Sequence, residues 1–187
     1  MKGHEDIREA IRTYLEVAVP PRLAAHLAGN GLTSPDPAGV AFLLADGLQD
    51  ITDFPAVVVR STDSGDERQV TTDTWWFAYD IEVIVACDHR VHGDAEGASK
   101  DRDRLLLAVR ECIYRASGLT DDIDISPKGR PEATGAASET RAGVPLAAGT
   151  LKFRARVTET LTDLDPPEDI DAVDQSVTVF DASQPIP

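Results

Sequence analysis

The chain has 187 residues, of which 42% are hydrophobic and 27% are charged, values typical of one packed domain with a sizeable core. Its 33 acidic and 18 basic residues give a formal charge of -15, which opposes wrapping around nucleic acid or binding an anionic lipid surface. No apolar stretch approaches the roughly 20 residues of a membrane span, and the acidic N-terminus lacks the apolar core of a secretory signal. We therefore expect the chain to be made and to begin its life in a cytoplasm.

An amphipathic helix is predicted at the start of the chain. From Glu5 to Ala18 apolar residues recur at intervals of three and four, the spacing of one helix face. Pro20 and Pro21 should end or kink this helix, because proline lacks the backbone donor. Pro21 then opens a short second helix that stops at Gly29.

Two strands are predicted in the middle of the chain. The β-branched run Phe54–Arg60 is the first, and the polar, glycine-containing segment Ser61–Arg68 is interpreted as the tip of a hairpin. The longest strand follows at Trp75–Cys87. Its alternation places the odd-numbered apolar residues on one face and Asp80 and Glu82 on the other.

A helix and a final strand are predicted in the second half. Apolar residues from Ala98 to Ala116 recur with helical spacing, and the alternating charges of Lys100–Arg104 are interpreted as a solvated helix face. The strand Leu151–Val157 alternates apolar residues with three basic ones. If this strand runs antiparallel to Trp75–Cys87, Asp80 and Glu82 lie across from the basic row.

Two segments are not predicted to belong to the core. Residues 127–150 are rich in Gly, Ala, Pro, Ser and Thr, and we expect a long loop that is flexible or ordered by a partner. Residues 162–187 contain seven acidic residues and no basic one. This extension is interpreted either as a disordered acidic tail or as a segment whose Gln175–Phe180 run pairs with a neighbouring subunit.

The order of elements predicts one α+β domain over residues 1–161, with a mainly antiparallel sheet and helices packed on one face. The acidic, proline-containing extension 162–187 follows it.

No recognised catalytic motif is present, and the strongest candidate for a metal site is weak. Cys87, Asp88, His89, His92 and Asp94 carry ligand types that zinc accepts, but their spacing is loose. A structural role is favoured, with Cys87 and Cys112 as buried thiols. We therefore predict no enzyme activity, cofactor or metal.

The succession of elements over residues 5–160 resembles the tail terminator, or minor tail completion, proteins of long non-contractile-tailed phages. The segments that carry the resemblance are the N-terminal helix, Phe54–Arg60, Tyr79–Cys87, Arg102–Arg110 and Gly149–Val157. The acidic extension and the length of the 127–150 segment depart from the family pattern.

The resemblance implies a structural virion protein at the head-proximal end of a phage tail. Members of that family have a sheet flanked by helices and form a hexameric ring that caps the tail tube, stops its polymerisation and receives the head connector. Its implied partners are further copies of itself, the tube protein and the connector. Genomic DNA would pass through the ring without specific binding, which an acidic wall favours.

Six residues are candidates for interfaces. The basic row is expected to meet acidic groups of a neighbour or of the tube, although internal pairing with Asp80 and Glu82 is an equal alternative. The candidates are Lys152, Arg154, Arg156, Trp76, Arg141 and Phe180.

Other functions stay open at this point. A head-tail connector or neck protein is the nearest alternative, followed by a metal-dependent enzyme and by an acidic adaptor that binds through its tail.

Overall fold

The computed structural model describes residues 4–45, 51–69, 74–88, 95–116, 119, 123–125, 132–141 and 144–160. Two helices and six strands lie in these ranges, together with one short 3₁₀ turn at Pro37–Gly39. In chain order they are α1 (His4–Gly29), β1 (Ala41–Leu44), β2 (Ala56–Gln69), β3 (Thr74–Asp88), α2 (Ala95–Arg115), β4 (Ile123–Ile125), β5 (Glu132–Arg141) and β6 (Val144–Thr160). The acidic extension 162–187 lies outside the described residues.

The strands form one mixed sheet with the order β1-β2-β3-β6-β4, and β5 pairs with β6 beside β4. Only β1 and β2 are parallel, and every other pair is antiparallel. The long strands β3 and β6 pair along fifteen residues, from Thr74 opposite Thr160 to Asp88 opposite Leu146. The α+β class with a mainly antiparallel sheet is therefore confirmed.

Both helices pack on the same face of the sheet. The main core joins the apolar stripe of each helix to the odd-numbered residues of β2, β3 and β6. Among its fully buried members are Ile11, Leu15, Val83, Leu105 and Leu151. A smaller core on the opposite face gathers Ala56, Val58 and Ile84 around Ile51. The alternation of β3 produces this division, because successive side chains of a strand point to opposite faces.

Polar contacts tie the two helices together. Arg22 and His26 of α1 both reach Glu111 of α2, with His26 Nε2 at 3.1 Å from Glu111 Oε2. The hydrogen bond from Arg22 holds the pKa of Glu111 below its ordinary value. The Tyr14 hydroxyl donates to the carbonyl of Cys112 at 2.9 Å. These contacts join the two helices across their packed faces.

The helix α2 approaches β6 closely at Gly149. A Cβ atom at this position would lie 3.1 Å from Leu106 Cδ2 and 3.3 Å from Arg102 Cδ. Because Gly149 has no side chain, α2 can pack closely against β6 at this point.

The prediction that the first helix ends at Pro20 and Pro21 and a second begins there is wrong, whereas the predicted stop at Gly29 is confirmed. The helix α1 continues through both prolines as far as Gly29. Val19 and Leu23 are fully buried on either side of the pair. Their tertiary packing holds the helix together where local propensity would end it, because burial of an apolar face dominates helix stability.

Two loop predictions are also wrong. Residues Ser61–Arg68 are not a hairpin tip, because β2 continues through Gln69 and pairs with β3 as far as Trp75. Within the predicted 127–150 loop, residues 132–141 form β5 and residues 144–150 form the first half of β6. Small residues such as those of β5 have low strand propensity, and pairing with β6 supplies the order that sequence does not indicate.

No helix in the described part of the chain is long and apolar enough to cross a membrane.

Candidate interaction face

The candidate interaction surface lies on the side of the sheet away from the helices. The register of β3 and β6 places Asp80 opposite Arg154 and Glu82 opposite Lys152. In β2, Arg60 lies opposite Glu82. We call this side, defined by Trp76, Asp80, Glu82, Arg60 and the basic row Lys152, Arg154 and Arg156, the open face.

Glu82 is the central anion of the open face. It is only 4% exposed, and its carboxylate forms an ion pair with Arg60 on one neighbouring strand and accepts a hydrogen bond from Arg60 Nε. On the other neighbouring strand, Lys152 Nζ lies 3.3 Å from Glu82 Oε1. A buried carboxylate is stable only with such compensation, since transfer of an unpaired charge out of water is costly.

A second ion pair and an aromatic contact extend the face along β3 and β6. Arg154 Nε donates to Asp80 Oδ1 at 3.0 Å. Nearer the end of β6, the Arg156 guanidinium lies 5.6 Å from the ring centroid of Trp76, within the range of a cation–π contact. The three basic residues therefore each meet a group on β3.

The internal pairing of the basic row with Asp80 and Glu82, one of the two alternatives from sequence, is what the structure contains. Ion pairs directly across neighbouring strands stabilise one register, because a slip by one residue would move every charge to the core face. Part of the row still faces solvent, with the Lys152 side chain 55% exposed and that of Arg154 45% exposed. These charged groups therefore stabilise the sheet and remain accessible to a partner.

The structure brings together four of the six sequence candidates. Lys152, Arg154, Arg156 and Trp76 share the open face. Arg141 lies elsewhere, at the end of β5 opposite Val144. Phe180 lies outside the described residues. Sequence reasoning missed Arg60, whose place beside Glu82 depends on the pairing of β2 with β3.

A pocket of about 200 Å³ lies near the C-terminal end of β3 and the first turns of α2. Ser34, Phe54, Cys87 and Asp101 are among its lining residues. Ser34 Oγ donates to Asp101 Oδ2 at 2.5 Å, and Arg104 Nη1 donates to Asp101 Oδ1 at 2.9 Å. These bonds join the connection after α1 to the first turns of α2.

The interpretation of Lys100–Arg104 as a solvated face is therefore only partly right. Asp101 is buried in this hydrogen-bonded cluster, while Lys100 and Asp103 are exposed.

The structure places Cys87 in the wall of this pocket as a buried thiol. Burial raises the pKa of the Cys87 thiol to about 12, and the negative charge of Asp101 adds to the shift. A metal ligand or nucleophile needs the thiolate, which this environment disfavours. His89, His92 and Asp94 lie outside the described residues. Within the described ranges, no three His, Cys, Asp or Glu residues are grouped to hold a metal ion.

Comparison with known proteins does not assign the chain to a family. No protein-family model matches the sequence, and a search of curated proteins finds no significant match.

Proposed function

We propose that this protein is a structural virion protein, a phage tail terminator that forms a ring, caps the tail tube and joins the tail to the head connector. The observation that carries the proposal is the fold itself. The elements that resemble the terminator family occur in the same order and build one sheet with both helices on one face. That arrangement agrees with the architecture which the resemblance implies.

The open face supports a role in assembly. One side of the sheet is covered by helices, and the other presents charged side chains that are accessible in the single chain. Lys152, Arg154 and Arg156 would meet acidic groups of a neighbouring subunit or of the tube. Partly exposed cations at the rim of a protein contact favour specificity and association rate more than affinity.

The charge of the chain supports a channel through which DNA slides. Copies that each carry a formal charge of -15 create a strongly negative ring. Negative walls repel phosphates, so the genome would pass without binding. This physical property suits a head-tail junction, and it suits a neck connector equally well.

The test of the proposed function is electron microscopy of the purified protein, alone and mixed with tail tubes from the same phage. We expect six-fold rings, and caps at one end of the tubes that stop further polymerisation of the tube protein. Rings that bind the connector but never a tube end would favour the neck alternative. Protein that neither forms rings nor decorates tubes would contradict the proposal.

The contribution of the basic row is tested by the triple variant K152S, R154S and R156S. We expect the triple variant to require at least a tenfold higher protein concentration to cap the tubes. The matched control, K100S with R110S and R115S, removes the same charge from exposed positions of α2. Circular dichroism must show that both variants fold, and equal capping by the two would remove the basic row from the proposal.

A further inference from the structure

The helix α1 ends in a turn that is built around Asn30 and Gly31. Gly31 has a φ of 64°, the left-handed conformation that glycine adopts without strain. Its backbone nitrogen donates to the carbonyl of Ala28 at 3.3 Å. The nitrogen of Leu32 donates to the carbonyl of Leu27 at 2.8 Å. These two bonds define a Schellman motif, in which a left-handed residue directly follows the helix end.

The side chain of Asn30 takes part in the same turn. Asn30 is the only asparagine in the chain. Its Nδ2 donates to the carbonyl of His26 at 2.8 Å. Carbonyls of the last helical turn have no partner within the helix, so the amide supplies a donor that one of them needs. The neutral amide therefore contributes to the way in which α1 ends.

An asparagine that precedes a glycine can lose ammonia in water without an enzyme. The backbone nitrogen of the glycine gives up its proton to solvent base and attacks the side-chain carbonyl carbon. A new C–N bond closes a succinimide ring, and the amide nitrogen leaves as ammonia. Water then opens the ring at either carbonyl, which yields aspartate or isoaspartate. Glycine favours the first step, because it has no side chain to hinder the approach of the two groups.

The fold leaves this pair of residues accessible. Asn30 and Gly31 are both exposed. A Cβ atom placed on Gly31 would have no atom of the described residues within 4 Å, apart from those of its chain neighbours. The bond from Gly31 N to the Ala28 carbonyl, at 3.3 Å, is longer than the usual range and therefore weak. Helix ends also open at little cost in free energy, so the Gly31 nitrogen becomes available for attack.

We propose that Asn30 is a modification site, at which deamidation through a succinimide with Gly31 replaces the neutral amide by a carboxylate. An ionised carboxylate has no proton to donate to the His26 carbonyl. It also places a negative charge at the negative end of the helix dipole. The isoaspartate form lengthens the backbone and displaces Leu32 from the Leu27 carbonyl. Deamidation thus loosens the end of α1 and adds one negative charge to the formal charge of -15.

Contacts with α2 on both sides of the turn confine this effect. Before the turn, His26 Nε2 lies 3.1 Å from Glu111 Oε2. After it, Arg104 Nη1 donates to the carbonyl of Ser34 at 2.8 Å. The loosened segment therefore lies between two attachments to the same helix, and we expect the rest of the fold to persist. The inference is independent of the proposed tail terminator function.

The experiment follows Asn30 by tandem mass spectrometry while the full chain is incubated in mildly alkaline buffer, natively and in urea. Labelling by isoaspartyl methyltransferase detects the isoaspartate product. The first variant is G31A, whose methyl group hinders the attack on Asn30. Because G31A also strains the left-handed turn, N30Q is the second variant, in which the same reaction would have to close a larger ring. Circular dichroism shows whether each variant is folded.

We expect native protein to gain the mass of one deamidation at Asn30, at a rate within about thirtyfold of that in urea, since helix ends open readily. G31A should slow the reaction about tenfold or more, and N30Q should remove the isoaspartate signal. Native conversion slower than this limit would overturn the inference, because the turn would then protect Asn30. Conversion that folded G31A leaves unchanged, or an undiminished isoaspartate signal in N30Q, would overturn it as well.

The structural consequence is tested with N30D by amide hydrogen exchange. We expect the amides of Gly31 and Leu32 to exchange several-fold faster than in the parent protein, because both donate in the turn. The amide of Leu151, in the core strand β6, should exchange at the parent rate. Unchanged exchange at Gly31 and Leu32 would show that a carboxylate at position 30 does not loosen α1, and would overturn that part of the inference.

Discussion

At the scale of single residues, Glu82 shows how the sheet holds a charge that its surroundings disfavour. Its carboxylate is almost fully buried, yet it has a cation on each neighbouring strand, Arg60 on β2 and Lys152 on β6. The Asp80–Arg154 pair, two residues away on the same face, is open to solvent. The contacts of Glu82 and the Asp80–Arg154 pair have similar chemistry. They differ in how much stability is lost when the carboxylate is removed.

We expect E82Q to lower the free energy of unfolding by about 2 kcal/mol, because the substitution removes the buried anion that pairs with both Arg60 and Lys152 and so weakens its charge-assisted contacts. D80N, at a position whose side chain is 44% exposed, should cost less than about 1 kcal/mol. Urea denaturation of both variants measures the difference. Equal effects would contradict the special position of Glu82.

The buried thiol of Cys87 allows a prediction about reactivity. With a pKa of about 12, only about one part in 10⁴ of this group is thiolate at pH 8, and the side chain is also shielded from reagent. We expect labelling by a disulfide reagent to be at least a hundredfold slower in the native protein than in urea, where both cysteines react. Rapid native labelling, or stoichiometric zinc in the purified protein, would instead support the metal-site alternative.

At the scale of elements, α1 shows how packing overrides local preference. Its buried stripe runs through Ile7, Ile11, Leu15, Val19 and Leu23, and each of these residues is fully buried. The two prolines interrupt the backbone hydrogen bonds within this stripe. Because residues on both sides of the interruption contact the same core, the helix continues across it.

We expect L15A to lower the free energy of unfolding by about 3 kcal/mol, through lost burial and the cavity left behind. The matched control is V17A two residues away, where the parent side chain is 73% exposed. It should change stability by less than about 0.5 kcal/mol. Thermal or urea unfolding provides the measurement, and a small effect of L15A would show that α1 contributes little to the core.

At the scale of the whole molecule, net charge opposes the assembly that the proposed function requires. Each copy carries a formal charge of -15, and seven of its acidic residues lie in 162–187. Bringing copies together concentrates like charge, a repulsion that salt screens as the Debye length falls from about 10 Å at 0.1 M to about 3 Å at 1 M.

We therefore expect self-association to strengthen several-fold between 0.1 M and 1 M sodium chloride, as measured by sedimentation at fixed protein concentration. Removal of residues 162–187 takes the formal charge to -8 and should reduce this salt dependence. Association that weakens with salt would show that opposite charges, such as those of the basic row, dominate the contact between copies.

Local patterns in the sequence were sufficient for β3, α2 and the second half of β6. The alternation from Trp75 to Cys87 and from Leu151 to Val157 predicted both strands and the sides of Asp80 and Glu82. The spacing from Ala98 to Ala116 predicted α2 to within a few residues. These signals are strong because each of these elements buries one face, and burial of one face imposes a period on the sequence.

Tertiary structure decided what those patterns leave open. The pairing of β2 with β3 beyond Arg60, the formation of β5 and the continuity of α1 through two prolines all depend on neighbours distant in sequence. The same holds for the partners of the basic row, since two readings were equal until the register of β3 and β6 was known. The sequence by itself determined the periods, the charge and the α+β class. Only the tertiary structure determined which groups meet, because strand register and the overriding of local propensity are set by contacts across the whole core.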